Sequence, residues 1–409
     1  MTRFSAIVLL ALFSLPSATV AKPGIGPQVA VTHAETRLGF WAGEAVPGTD
    51  WSVPETYWNR RDTHAYTPGL WRVLRHHRIP LYFGLRYRRD FGPVPKGMPQ
   101  RTDGLRIIRR ANRHRVPVWA WILVPYTEGY WAWEGAAAEH FDAVRAVLRW
   151  ARAKRVRLRG LALDPEPPLR TPFEAQAAIL SGGAGSSPFL HQAIDPAGQC
   201  HAWNGYTRIQ RWAARHGVAI ATAPSALALD DVADGRLALQ DSAQFIVPDA
   251  PWEGVFFQAY RSVFAYYAGR DPGPGVVASY FRSSQREFGS AGQISLGSAG
   301  RGPYRRFSTL LHDVRLAATL GVRELPIYSL ERTLRSYGGP RAVIRLVRAA
   351  QHPFAGPRAT KASAPTPQAT TFRAAIRRSD KGTTRATAVA TASRGPAQHP
   401  NPWPDACRR

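Results

Sequence analysis

The fold predicted by the sequence is α/β: a (β/α)8 TIM barrel followed by a disordered basic C-terminal tail. Three observations carry that prediction. Eight short apolar stretches read as strands, helical patterns separate most of them, and the alternation runs over roughly 320 residues, a span that suits this fold. The strands are expected near Leu38–Trp41, Pro80–Leu85, Val116–Leu123, Leu158–Leu163, Val218–Ala223, Gly254–Tyr260, Gln293–Leu296 and Leu325–Tyr328. Each is a short run rich in aliphatic or aromatic residues, as strands of a buried parallel sheet are. Helical spacing of apolar residues appears over Leu70–His77, Gly104–His114, Phe141–Lys154, Thr207–His216, Tyr304–Leu320 and Arg341–Ala350. The pattern after the sixth strand is weak. The glycine-rich run Ser181–Ser187 reads as an insertion after the fourth strand. No Lys-Ser or Lys-Thr follows it, as a phosphate-binding loop would require.

Three segments are expected: a signal peptide over 1–21, the barrel over 30–355 and the tail over 356–409. Arg3 precedes an apolar stretch, Ala6 to Leu15, and small residues lead to Ala21. A charged start, a short apolar core and a small-residue exit describe a secretory signal cleaved near Ala21, so the chain is expected to be secreted or periplasmic. No segment reads as a transmembrane span. The tail is rich in Ala, Thr, Pro and Arg and has too little apolar content to offset the chain entropy of folding.

The formal net charge is +26, carried mostly by arginine. A basic surface and tail favour anionic partners, and an anionic cell-envelope polymer fits an exported protein better than nucleic acid. No helix-turn-helix, zinc-finger or RNA-binding pattern is present. The chain has two cysteines, Cys200 and Cys407, too few for a disulfide framework, and their pairing is left open. No Cys/His cluster has zinc spacing, and no metal or cofactor is expected.

The chemistry-bearing residues gather at the expected strand ends, where such barrels work. The fourth strand stops at Asp164-Pro165-Glu166. Alternation along a strand points both acids the same way. Their repulsion pushes one toward the protonated form that a general acid needs, and the prolines at 165, 167 and 168 end the ladder. Gln258 and Tyr260 share a face on the sixth strand. Trp41, Trp121, Tyr126, Glu128, Trp131, Tyr328 and Glu331 lie near other strand ends. Aromatic rings there can stack on sugar rings, although most aromatics pack in cores.

Three of these stretches together resemble family 18 glycoside hydrolases, the chitinases and related enzymes. The resemblance lies in Asp164-Pro165-Glu166, in Thr222-Ala223-Pro224-Ser225 after the fifth strand, and in Gln258-Ala259-Tyr260 on the sixth. It covers about ten residues in detail. The acids that the family places upstream on the fourth strand are absent, since Arg159-Gly160-Leu161-Ala162-Leu163 stands there. The resemblance implies hydrolysis of a glycosidic bond in a polysaccharide containing N-acetylhexosamine. Glu166 would be general acid and base, Asp164 would assist the acetamido group of the substrate, and Tyr260 would hydrogen-bond its carbonyl. Gln258 and the rim aromatics would bind the glycan. Two alternatives stay open: a two-acid scheme pairing Glu166 with Glu331, and a non-catalytic sugar-binding barrel.

Overall fold

A computed structural model describes residues 35–43, 65–86, 100–124, 131–167, 196–233, 240, 244–247 and 251–383. Eight parallel strands close into a barrel in sequence order: β1 (Arg37–Ala42), β2 (Leu81–Arg86), β3 (Val118–Leu123), β4 (Gly160–Leu163), β5 (Ala219–Thr222), β6 (Val255–Gln258), β7 (Gly292–Gly297) and β8 (Glu324–Tyr328). The barrel closes where β1 pairs with β8, in a register that sets Leu38 beside Leu325 and Trp41 beside Tyr328. The expected strands all appear, with ends shifted by a few residues.

Twelve α-helices are described: α1 (Pro68–His76), α2 (Gln100–Arg113), α3 (Ala137–Ala153), α4 (Pro196–Arg215), α5 (Ala228–Ala233), α6 (Arg261–Tyr267), α7 (Gly275–Phe288), α8 (Phe307–Thr319), α9 (Leu330–Tyr337), α10 (Pro340–Gln351), α11 (Pro357–Ser363) and α12 (Pro367–Thr383). The capping chemistry of α1 is local. Thr67 Oγ1 accepts from the Leu70 amide at 3.2 Å, and Pro68 occupies a position whose amide has no partner in a helix. This helix buries Leu70, Trp71 and Leu74, each contributing about 1.5–3 kcal/mol of apolar burial.

Strand alternation sorts side chains into two layers. Leu38, Phe40, Leu81, Phe83, Val118, Ala120, Leu161 and Leu163 point outward and pack under the helices. Trp41, Tyr82, Trp119, Trp121, Ala162, Ala221, Ala223 and Phe256 fill the barrel interior. Large and small inward residues are matched. A Cβ on Gly160 would lie 2.4 Å from the Trp119 ring, so the wide indole on β3 requires glycine on β4. Ala162 follows two residues later on the same inward face, and Asp164 and Glu166 continue that parity.

Residues 356–383, expected to lack structure, form α11 and α12 instead. Ala369, Phe372 and Ile376 recur at helical spacing and are buried, and Arg373 is nearly so. Arg373 pairs with Asp230 of α5 at 2.6 Å and donates to Ser279 and Ser283 of α7. A narrow apolar stripe with one buried ion pair thus docks a stretch whose average composition reads as disordered. Residues 384–409 and the expected signal peptide lie outside the described residues, as do Tyr126, Glu128, Ser181–Ser187 and Cys407. Cys200, on α4, is not a free thiol. No helix among the described residues is long and apolar enough to cross a membrane.

Candidate active site

The Asp164-Pro165-Glu166 segment is held in place by backbone bonds to both neighbouring strand ends. Asp164 O accepts from the Ala132 amide at 2.9 Å on one side. Pro165 O accepts from the Ser225 amide at 3.3 Å on the other. Pro165 needs no donor of its own where the ladder ends. The segment therefore continues β4 between the loops after β3 and β5, with Asp164 and Glu166 facing the barrel axis.

Gln258 joins the two acids. Its Nε2 lies 2.8 Å from Asp164 Oδ1, 2.6 Å from Glu166 Oε1 and 2.8 Å from Ala223 O. An amide carries two hydrogens, so at least one is shared among these three acceptors. Among the described residues no lysine, arginine or histidine forms an ion pair with Asp164 or Glu166.

Burial raises both carboxyls above their ordinary values, and at Asp164 the charge of Glu166 adds to it. Asp164 is 4% exposed, and burial followed by the charge of Glu166 pushes its pKa well up. Glu166 is raised to about 7, chiefly by burial, against the lowering effect of hydrogen bonds with Gln258 and Asp164. Glu166 keeps part of its surface exposed although protein surrounds its carboxyl closely. The Trp121 indole favours the ionised form of Asp164 while falling outside hydrogen-bond geometry. The two acids are close enough to titrate as a unit, and near neutrality the unit retains a proton.

Tyr260 is 8% exposed and stacks on Tyr328, with ring centroids 5.7 Å apart and planes 21° from parallel. Its Oη lies 3.4 Å from Ser295 Oγ. Ser295 accepts from Trp41 Nε1 at 3.1 Å and donates to Pro326 O at 3.0 Å. Sequence reading missed Ser295, although the polar Gln293 and Ser295 alternating with Ile294 and Leu296 mark the inward face of β7. It also missed Arg261, which follows Tyr260 and binds Asp271 through Nε at 2.6 Å and Asp313 through one terminal nitrogen at 2.9 Å. This buried guanidinium fixes the chain directly after the tyrosine.

The other expected site residues are distributed unevenly. Trp41 and Trp121 lie in the barrel interior, 2% and 3% exposed, with their rings 5.3 Å apart. Trp131 and Tyr328 are half-buried against that interior cluster and reach the open end. Glu331 is buried at the start of α9 and accepts from the Gly43 amide at 2.8 Å and from the Tyr66 hydroxyl. The first bond ties the end of β8 to the end of β1, and the second ties it to the segment before α1. β8 and β4 lie on opposite sides of the barrel, so no strand pairing brings Glu331 beside Glu166. Among the described residues no cluster of His, Cys, Asp or Glu could hold a metal ion.

No protein-family model matches the chain, and no curated protein matches it. Solved structures do match. A GH5-4 broad specificity endoglucanase from an uncultured bacterium is 13% identical, with a TM-score of 0.43, covering 78% of this chain and 94% of its own. An L-ribulose 3-epimerase is 12% identical, with a TM-score of 0.34, covering 88% of this chain and 100% of its own.

Proposed function

We propose that this barrel is an exported glycoside hydrolase acting on a polysaccharide that contains N-acetylhexosamine. The observation that carries the reading is the hydrogen-bonded set of Asp164, Glu166 and Gln258, which retains a proton at neutral pH beside the open end of the barrel. A proton donor with a pKa near the working pH, next to an acid that can ionise, is what cleavage of a glycosidic bond requires.

In this reading Glu166 donates its proton to the glycosidic oxygen as the bond to the anomeric carbon breaks. The acetamido oxygen of the substrate attacks that carbon from the opposite face and forms the new bond. With the proton of the pair on Glu166, Asp164 is the ionised partner, which accepts from the acetamido N–H and balances the charge that develops there. Glu166, now ionised, then takes a proton from water as the water opens the cyclic intermediate. Gln258 keeps the two carboxyls in register, and Tyr260 is placed to donate to the acetamido group. Water is the co-reactant, and the sum is hydrolysis.

The acetamido group is the chemical signature to test. Reducing-end release is expected from a β-linked N-acetylglucosamine polymer. The same polymer after complete N-deacetylation is expected to be cleaved at least about a hundredfold more slowly, because the internal nucleophile is gone. Equal rates on the two polymers would remove the acetamido group from the mechanism.

A further inference from the structure

The opposite end of the barrel, where the strands begin, carries five helix-to-strand turns with one hydrogen-bond scheme. After α1 the Arg78 amide donates to Arg75 O at 3.1 Å and the Ile79 amide to Leu74 O at 2.9 Å. The turns at Arg115-Val116, Arg155-Val156, Gly217-Val218 and Gly321-Val322 repeat both bonds within 0.2 Å. This is the Schellman arrangement, and its first residue stands in the left-handed region. The φ angles are 51° at Arg78, 57° at Arg115, 53° at Arg155, 64° at Gly217 and 84° at Gly321.

Glycine is the favoured residue at such a position, because a Cβ crowds the backbone there. Two of the five turns use it. Nothing lies within 4 Å of a Cβ built on Gly217 or Gly321, so the preference there is one of backbone conformation rather than of space. The other three turns carry arginine, and all three side chains are exposed. A cation near a helix C-terminus interacts favourably with the helix dipole. The last helical turns already supply one in Arg75, Arg113 and Arg152. The dipole therefore does not explain a second arginine at the strained position, repeated three times.

The three turns lead into β2, β3 and β4, which are consecutive around the barrel. Arg78, Arg115 and Arg155 thus occupy neighbouring stations of one arc, extended by the exposed Arg157 and Arg159. Arg78 and Arg159, one toward each end of this arc, line a cavity of about 900 Å3 at the strand-start mouth, together with Arg37 and Arg323. Tyr82, Trp119 and Phe256 form its inner wall, and Glu35, Glu253 and Glu324 stand among the arginines at its rim.

We propose that this arc and cavity form a docking surface for an acidic polysaccharide, a chain bearing both carboxylates and hydroxyls. Guanidinium groups bind carboxylates through paired hydrogen bonds. Glu324 is already held by Arg37 and the Tyr82 hydroxyl, while Glu35 and Glu253, each with one partner, keep acceptor capacity for hydroxyls and oppose the denser charge of a phosphodiester chain. The surface lies at the end of the barrel away from Asp164 and Glu166, so its occupation leaves the catalytic end open. It stands independently of the glycosidase reading.

The test exploits the glycine preference. The triple variant Arg78→Gly/Arg115→Gly/Arg155→Gly is expected to melt at or above the wild-type temperature, which separates lost binding from lost folding. Binding of the full chain to polygalacturonate, to neutral dextran and to single-stranded DNA of matched charge is measured at about 50 mM salt. Wild type is expected to prefer polygalacturonate, and the variant to bind it roughly tenfold or more weakly. Unchanged binding by the variant would overturn the proposal. So would wild-type preference for dextran or for the DNA.

Discussion

Replacing Glu166 by glutamine is expected to lower kcat about 10²–10⁴-fold on whichever glycan wild type cleaves, with KM within about threefold. The amide has nearly the shape of the carboxylic acid, so the fold and the glycan contacts persist. It cannot deliver a proton to the leaving oxygen, and the loss falls on the transition state rather than on substrate binding. Gln258 Nε2 lies 2.6 Å from Glu166 Oε1 and can still donate to the oxygen of the introduced amide. Steady-state kinetics on the purified pair of proteins reads the effect. A mutant within tenfold of wild type would transfer the acid role to another group.

The largest expected effect on stability comes from Arg373→Met. Asp230 is 1% exposed and receives Arg373 Nε at 2.8 Å and the Tyr280 hydroxyl at 2.7 Å. Truncating the arginine leaves a buried carboxylate without its cation, at a cost of about 3–5 kcal/mol. The guanidinium also lies 4.5 Å above the Tyr280 ring and binds Ser279 and Ser283, so the loss extends to the face of α7 that α12 covers. Denaturant unfolding is expected to show a clearly lowered midpoint. The double variant Asp230→Leu/Arg373→Met is expected to recover part of the loss, because no uncompensated charge remains. A single variant as stable as wild type would mean that α12 contributes little to the barrel.

The barrel was legible because its signals are local. Each strand is a short apolar run, and alternation alone assigns Asp164 and Glu166 to one face. The errors have physical causes. The strand expected from Val116 begins at Val118 because Arg115 and Val116 complete the Schellman turn after α2. The pattern after the sixth strand reads as weak because Ser279, Ser283 and Ser284 weaken the local preference of α7, and two of those serines accept from Arg373 some ninety residues away. Over residues 357–383 of the tail average composition was the weaker guide, and the recurrence of Ala369, Phe372 and Ile376 was the informative signal.

At the site, the pair at the end of β4 and Gln258 two strands away could be named from residue types and strand ends. Their joining through one amide nitrogen could not. It depends on the loops after β3 and β5 holding Pro165 in register with β6. Glu331 looked like a rim acid in sequence, and only the contacts with Gly43 and Tyr66 reveal its hold on the end of β1 and on the segment before α1.

The most direct test of the central claim is the pH dependence of kcat/KM from pH 4 to 9. An ordinary glutamic acid, at 4.5, would lose its proton and its activity early in that range. Burial raises Glu166 to about 7, so the acid form persists to neutrality and is lost only above it. The account predicts a rate that holds from about pH 5 to 6.5 and then falls toward tenfold per unit as pH rises through about 7. A rate that falls from pH 4.5 upward, or that is flat to pH 9, would contradict a proton donor held by Asp164, Glu166 and Gln258.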